Sequence, residues 1–253
     1  MSADDGGEIL PSAAAAPVQN LPVRLIRVAL AALLPGAVLA APPAAAQTMR
    51  SAACDGVTYR YLLVAPKFNR PKPALLLLHG SGGHAHDLVI PWRSFAETHD
   101  LVLIAPELTN KRAFEAIAPA VFRCIVEDAK KTVALDPKRL YVFGHSMGGY
   151  LAYDAAMFES GYFAAAAAHA AAVDPDFDDI LTKATRKIPI AIFVGDRDPL
   201  TPIASVRRTR DLLVKAGFPV QYEEIEGHDH YYEPVADRIN REAWAFFEAH
   251  PLP

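Results

Sequence analysis

Segments rich in apolar and β-branched residues alternate along the chain with longer segments in which apolar side chains recur at helical spacing. The first kind predicts strands at residues 59–64, 74–78, 101–105, 140–143, 164–168, 188–194 and 220–225. The second kind predicts helices at residues 88–97, 120–134, 147–158, 203–215 and 234–247. The alternation predicts an α/β fold: a mostly parallel sheet with helices on both faces. Residues 59–64 alternate apolar with polar positions and are expected to form an edge strand.

The first 46 residues have a different character from the rest of the chain. Arg24 and Arg27 precede an apolar run at 28–41, and small residues then lead up to Ala46. A basic flank, a short apolar core and small residues at the end are typical of a secretory signal peptide. We therefore expect cleavage after Ala46, an α/β domain over 47–253, and a secreted or periplasmic protein.

Two other interpretations of residues 1–46 are a membrane anchor and a disordered tail rich in alanine and proline. The apolar core is short and is interrupted by Pro35 and Gly36, whereas a membrane-spanning helix needs about 20 apolar residues. We therefore expect no stable membrane span in the mature protein.

Composition and charge narrow the function only slightly. The 253 residues are 52% hydrophobic, which is enough for one well-buried domain. The net charge is −4 and no basic stripe is present, so no nucleic-acid partner is expected. Cys54 and Cys124 could form a disulfide in an oxidising compartment or remain two separate thiols, and the sequence leaves both possibilities open.

The motif Gly144-His145-Ser146-Met147-Gly148 lies between the predicted strand at 140–143 and the predicted helix at 147–158. A serine on so sharp a strand-to-helix turn has a strained backbone, and glycines are needed where a side chain would clash with neighbouring elements. The turn raises the Ser146 hydroxyl above the sheet edge. The motif therefore predicts that Ser146 is a nucleophile.

A glycine-rich segment, His79-Gly80-Ser81-Gly82-Gly83, directly follows the predicted strand at 74–78. Glycines allow the main chain to approach a reacting group closely, and backbone N–H groups can stabilise an oxyanion. We assign the two donors to Ser81 and Met147. A phosphate-binding loop is disfavoured because no Gly-Lys-Ser/Thr sequence follows.

A carboxylate and an imidazole are expected at the ends of two later strands. Asp198 follows the strand at 188–194 and precedes a proline, and we prefer it to Asp196 as the partner of the histidine. His228 follows the strand at 220–225 and is preferred as the base, with His230 as the alternative. A metal site at these two histidines is the remaining interpretation.

The predicted chain order is thus serine, aspartate, histidine, with every member after a strand, where open α/β sheets carry their sites. Substrate-binding residues are assigned less directly. Residues 169–187 could form a minimal cap over an open site. Candidates for contact with the substrate are His84, Trp92, His169, His230 and Tyr231.

On these motifs the chain resembles α/β-hydrolases, and among them the secreted polyhydroxybutyrate depolymerases, feruloyl esterases and acetyl xylan esterases. The resemblance rests on residues 55–62, 79–83, 136–149, 195–199 and 227–228. It implies hydrolysis of small or oligomeric carboxylic esters by Ser146, Asp198 and His228, with no cofactor. The alternatives are a serine peptidase like the catalytic domain of prolyl oligopeptidases, and a relative that binds ligands without catalysis.

Overall fold

The structure, a computed structural model, describes residues 46–66, 70–108 and 117–253, except for the side chain of Phe177. The described residues form one eight-stranded sheet. Its strands are β1 (Ala46–Cys54), β2 (Val57–Ala65), β3 (Lys72–Leu78), β4 (Val102–Pro106), β5 (Leu135–His145), β6 (Ala165–His169), β7 (Ile190–Gly195) and β8 (Val220–Ile225). The seven predicted strands are present, and β1 is additional. The predicted signal segment lies outside the described residues, apart from Ala46.

The strands lie in the order β1-β2-β4-β3-β5-β6-β7-β8. Pairing is antiparallel from β1 through β2 to β4 and parallel from β4 to β8. The prediction of a mostly parallel sheet is therefore confirmed. Because parallel strands all end at the same edge, the loops after β3, β5, β6, β7 and β8 can meet there.

The prediction that residues 59–64 form an edge strand is wrong, because β1 covers β2 along its whole length. The two strands form a hairpin around Asp55 and Gly56, whose φ angles are +49° and +80°. A two-residue hairpin turn requires positive φ at both central positions, and Asp-Gly is among the sequences that best provide it. The Asp-Gly dipeptide was therefore the available sequence signal for β1, and it was missed. The strand itself is too exposed and polar to be predicted from a pattern of apolar residues.

Five α-helices lie within the described residues, and they match the five predicted ones apart from their ends. They are α1 (Ala85–Thr98), α2 (Ala120–Lys130), α3 (Met147–Phe158), α4 (Ile203–Lys215) and α5 (Ala236–Glu248). Short 3₁₀-helices occupy Pro175–Thr182 and Glu233–Val235. Across the part of the chain that is described, no helix has the length and apolarity that crossing a bilayer would require.

The hydrophobic core lies in two layers, one on each face of the sheet. Side chains alternate along β3, so that Leu76 and Leu78 pack with α2, α3 and α4, whereas Leu75 and Leu77 pack with α1 and α5. Both faces of the central strands are buried, which explains their continuously apolar sequences. The sheet therefore leaves its carboxyl edge as the place for polar chemistry.

Cys54 and Cys124 form a disulfide that joins the end of β1 to α2. The neighbouring strand β2 is joined to α2 by a buried hydrogen bond, 2.7 Å long, in which the Tyr61 hydroxyl donates to Asp128. Arg50 in turn donates to the Tyr61 hydroxyl over 2.9 Å. The hairpin is thus attached to the helical layer by a covalent bond and by a polar network.

Removing the disulfide should destabilise the folded protein. In the double variant Cys54→Ser/Cys124→Ser we expect the free energy of unfolding to fall by about 2–4 kcal/mol, because the unfolded chain is no longer cross-linked. Urea unfolding followed by circular dichroism measures the change. The reduced wild type should unfold at the same midpoint as the variant, and an unchanged midpoint in both would contradict the prediction.

Candidate active site

Ser146 lies at the junction of β5 and α3 with a left-handed backbone, at φ +56° and ψ −122°. A residue with a side chain rarely adopts this conformation unless its surroundings hold it there. The Ser146 N–H donates to the carbonyl oxygen of His169 over 2.9 Å, and the Ser146 carbonyl oxygen accepts from Gly149 and Tyr150. The neighbouring strand and the first turn of the helix therefore fix the strained residue from both sides.

Two glycines make this junction possible, as the sequence predicted. A Cβ atom on Gly148 would overlap the carbonyl oxygen of Leu78, and one on Gly144 would overlap the carbonyl oxygen of Gly148. The backbone of α3 therefore packs directly on β3 and β5 with no side chain between them. This close approach aims the start of the helix at the sheet edge.

The Ser146 hydroxyl is hydrogen-bonded to an imidazole, and that imidazole to a carboxylate. Ser146 Oγ lies 2.9 Å from His230 Nε2, and His230 Nδ1 lies 2.8 Å from Asp198 Oδ2. With Nδ1–H donating to the carboxylate, Nε2 is left to accept the serine proton. The Asp198 side chain is fully buried and also accepts from the N–H groups of Leu200 and Thr201. These bonds hold the carboxylate in one orientation.

The preference for His228 over His230 as the base is wrong, because the imidazole that contacts Ser146 is that of His230. His228 N–H donates to the carbonyl oxygen of Ile225, and its own carbonyl oxygen accepts from Arg197, so the turn after β8 is still closing at His228. Its backbone lies so close to Gly195 that a Cβ there would overlap it. The His228 ring stacks on His169, with centroids 5.5 Å apart. The imidazole that reaches the Ser146 hydroxyl is that of His230, two residues later in the chain.

The preference for Asp198 over Asp196 agrees with the contacts. Asp196 Oδ1 accepts from the N–H of Gly227 over 2.7 Å. It therefore joins the loop after β7 to the loop after β8. Gly227 has a φ of +70°, which allows the second loop to turn back towards the first.

A row of imidazoles lies behind His230, and no motif in the sequence predicted it. His145 stacks on His169 with ring centroids 5.0 Å apart, and their Nδ1 atoms lie 3.0 Å apart in a hydrogen bond. The His145 ring also lies 5.2 Å from the His230 ring. One Nδ1 must donate and the other accept, so at least one of the two imidazoles is neutral.

Burial keeps this pair uncharged near neutral pH. Desolvation is the main cause that lowers the pKa of His145 to about 4, and it lowers the pKa of His169 well below its ordinary value. Repulsion from neighbouring imidazoles acts in the same direction. His169 was a candidate for substrate contact, but it is fully buried beneath the site. It supports the serine through its carbonyl oxygen and His145 through its ring.

The glycine-rich loop after β3 lies beside the nucleophile. A Cβ on Gly80 would be only 3.2 Å from the Cβ of Ser146. His79 accepts from the N–H of Leu108 at Nε2 and lies 2.8 Å from the Gly80 carbonyl oxygen at Nδ1, which identifies its neutral Nδ1–H tautomer. Burial lowers the pKa of this imidazole. The buried ring therefore holds the loop against the segment that follows β4.

The predicted oxyanion donors belong to this loop and to the start of α3. Among the described residues, neither the N–H of Ser81 nor that of Met147 donates a hydrogen bond. Met147 is the first residue of the helix, whose N–H has no acceptor within the helix. Both donors are available for a ligand, and their role in binding an oxyanion stays a prediction.

A cavity of about 820 Å³ opens beside Ser146. One wall is a face of α3, and most of the remaining lining comes from the segment after β6 and the loop after β7, with Ile117 and Ser205 completing it. The lining residues on α3 are Met147, Tyr150, Leu151, Asp154 and Phe158. The 3₁₀-helix Pro175–Thr182 contributes Pro175 and Ile180. Residues 169–187 thus form one side of the cavity, as the expectation of a minimal cap suggested.

None of the five predicted substrate contacts lines this cavity. Trp92 is fully buried in the core, where its ring meets Phe143 edge-on at 5.6 Å. His84 is exposed at the start of α1, with Nδ1 lying 3.5 Å from Glu107. Tyr231 is 66% exposed. The sequence could not separate a core aromatic from a pocket aromatic, because both types occur at apolar positions.

The alternative of a metal site at His228 and His230 gains no support from the contacts. His230 uses both ring nitrogens for Ser146 and Asp198. Within residues 46–66, 70–108 and 117–253, histidine, cysteine and acidic side chains nowhere form a group of three that could hold a metal ion.

The chain is similar to a known protein family and to a curated protein. The profile described as "Dienelactone hydrolase family" matches residues 93–245. A curated protein, "Putative esterase NocK" of Nocardia uniformis subsp. tsuyamanensis, is 27% identical over 175 residues, which cover 62% of this chain and 50% of that protein. The chain therefore spans about half the length of this curated relative.

Solved structures share the fold at low identity. A thermostable esterase is 24% identical with a TM-score of 0.67, and the match covers 81% of this chain and 63% of that one. The S-formylglutathione hydrolase FrmB of Staphylococcus aureus is 18% identical with a TM-score of 0.68, and the match covers 80% and 96%. These similarities confirm the predicted α/β-hydrolase fold. The narrower depolymerase or feruloyl esterase type stays a prediction.

The stacked imidazoles should make the fold sensitive to acid. The pKa of His145 is about 4 in the folded protein and 6.5 when unperturbed. As the pH falls, His145 is therefore protonated in the unfolded chain before it is protonated in the folded protein. The folding stability that is present above pH 6.5 is consequently lost as the pH falls towards 4. Compared with His145→Gln, the wild type should lose about 2–3 kcal/mol of unfolding free energy between pH 7.5 and 4.5.

Urea unfolding of both proteins at the two pH values measures this change. The difference between them removes the contributions of other titrating groups, which both proteins share. If the wild type and His145→Gln differ in unfolding free energy by the same amount at pH 7.5 and at pH 4.5, His145 is not held neutral in the folded protein.

Proposed function

Because the chain belongs to the dienelactone hydrolase family, we propose that it hydrolyses carboxylic esters through an acyl-enzyme on Ser146. The observation that carries the proposal is the hydrogen-bonded series from the Ser146 hydroxyl through His230 to Asp198. These three residue types in this connectivity activate a serine for attack on a carbonyl carbon. The strained backbone of Ser146 supports the same role.

In the proposed mechanism, Ser146 Oγ attacks the ester carbonyl carbon while its proton passes to His230 Nε2. Asp198 stabilises the imidazolium that forms, through its bond to Nδ1. The N–H groups of Ser81 and Met147 stabilise the oxyanion of the tetrahedral intermediate. The intermediate collapses, the alcohol leaves with the proton from His230, and an acyl-enzyme remains. Water, deprotonated by His230, then releases the acid and restores the serine.

The buried imidazoles support this mechanism electrostatically. His145 lies beside His230 and is neutral at working pH, because burial lowers its pKa to about 4. A neutral neighbour adds no full positive charge next to the imidazolium that forms during the reaction. His145 and His169 are therefore proposed as positioning residues for His230.

We also propose that the protein is exported. Export is supported by the disulfide between Cys54 and Cys124, since such bonds persist in oxidising compartments. Cleavage after Ala46 would leave a mature chain that begins within β1. In a bacterial host that expresses residues 1–253, we expect periplasmic or extracellular protein with Gln47 as its first residue by mass spectrometry. Recovery of the uncut chain from the cytoplasm alone would contradict export.

Single substitutions distinguish the two histidines. With p-nitrophenyl butyrate, Ser146→Ala and His230→Gln should each lower kcat/KM by about 10³-fold or more, because each removes a member of the hydrogen-bonded relay Ser146–His230–Asp198. His228→Gln should lower it by less than about tenfold, because the hydrogen bonds to Ser146 and Asp198 are made by His230. Circular dichroism confirms that each variant is folded. An equal loss in folded His228→Gln and His230→Gln would contradict the assignment.

A fluorophosphonate probe tests catalysis without a choice of substrate. It should label the wild type and leave Ser146→Ala unlabelled, because the probe reacts only with an activated serine. Absence of labelling in the wild type would favour a binding protein without catalysis. Faster turnover of aminoacyl p-nitroanilides than of p-nitrophenyl esters would favour the serine peptidase alternative.

A further inference from the structure

One carboxylate in the cavity takes no part in the relay. Asp154 lies on α3, eight residues after Ser146, which is about 12 Å along a helix that rises about 1.5 Å per residue. It shares the cavity-facing side of the helix with Met147, Tyr150 and Leu151. A substrate held at Ser146 that extends along α3 would therefore reach Asp154 with its far end.

Asp154 has no hydrogen bond or ion pair with any described residue. Burial raises the pKa of this carboxyl group to about 6, and no cationic side chain among the described residues lowers it. A partly buried carboxylate that lacks a partner destabilises a fold, so natural proteins rarely keep one without a reason. Neither the packing of α3 nor the chemistry at Ser146 supplies that reason.

The surroundings of Asp154 make a negative, otherwise largely apolar cavity. Leu151, Phe158 and Ile180 are among its lining residues, and the second carboxylate is that of Asp174. Neither lysine nor arginine occurs among the described residues that line it. Arg208, on the neighbouring α4, is paired with Asp178 and is not among the lining residues.

We propose that Asp154 selects ester substrates that carry a cationic group, such as a primary ammonium, at the far end of their acyl or alcohol chain. The ammonium would occupy the place of the missing partner, and the apolar walls would contact the methylene groups between it and the ester. A substrate that ends in a carboxylate would meet two negative side chains and be disfavoured. This inference deepens the proposed esterase function and rests on it.

The kinetic test compares three p-nitrophenyl esters of matched length: the 6-aminohexanoate, the heptanoate and the monoester of adipate. They end in an ammonium, a methyl and a carboxylate group. In Asp154→Asn, the ratio of kcat/KM for the aminohexanoate to that for the heptanoate should fall about tenfold from its wild-type value. This magnitude lies between those of exposed and buried ion pairs. The ratio of adipate to heptanoate should rise.

Asp174→Asn is the matched control, because it also removes one negative charge from the cavity wall. Asp174 is exposed and its carboxylate already accepts from the N–H of Asp176 over 2.9 Å. Its substitution should change the aminohexanoate ratio by less than threefold, as expected for an exposed charge. The same ratio in the wild type and both variants would overturn the inference and leave the esterase function intact.

A binding measurement separates this inference from the proposed catalysis. In Ser146→Ala, which should not turn over esters, hexylammonium should bind more tightly than 1-hexanol, and 1-hexanol more tightly than hexanoate, by isothermal titration calorimetry. Adding Asp154→Asn should abolish the preference for the ammonium. If the wild type hydrolyses no ester but this preference is found, the esterase proposal fails and the cation site stands. If hexanoate binds as well as hexylammonium, the cation site fails.

Discussion

The contact between the backbone of Gly148 and the carbonyl oxygen of Leu78 is the constraint on which the site depends. It brings the first turn of α3 against the ends of β3 and β5, directly after the left-handed backbone of Ser146. In this arrangement the serine hydroxyl, the free N–H of Met147 and the glycine-rich loop all lie at one sheet edge. The strain is local, and the two buried layers around the sheet stabilise it.

The polar groups beneath the edge are arranged to stay neutral, except for one carboxylate. His79, His145 and His169 are buried and have lowered pKa values. Asp198 is the exception, and two backbone N–H groups and His230 satisfy its oxygens. Neutral imidazoles can pack in rows at low energetic cost, whereas buried charges need direct partners. The relay therefore carries its charge only where partners exist.

The cavity differs from the relay in how its carboxylate is hydrogen-bonded. Its walls come from elements that the sheet brings together at the site, namely α3, the segment after β6 and the loop after β7. Within it, Asp154 has no partner among the described residues comparable to those of Asp198, although both are partly or fully buried carboxylates. This contrast between a satisfied and an unsatisfied acid is what separates catalysis from substrate recognition in our proposals.

Local patterns were sufficient for the elements and for part of the site. Apolar periodicity located seven strands and five helices, and the glycines around Ser146 marked the strained turn because their requirement is local. Asp198 could also be chosen over Asp196 from its position before a proline.

The choice between His228 and His230 could not be made from local patterns, since it depends on how the turn after β8 packs against Gly195. Whether Trp92 belongs to the core or to the cavity, which residues wall the cavity, and whether Cys54 meets Cys124 are likewise consequences of packing between segments far apart in the chain. Such long-range contacts leave no periodic signal in one sequence, and only the assembled sheet determines them.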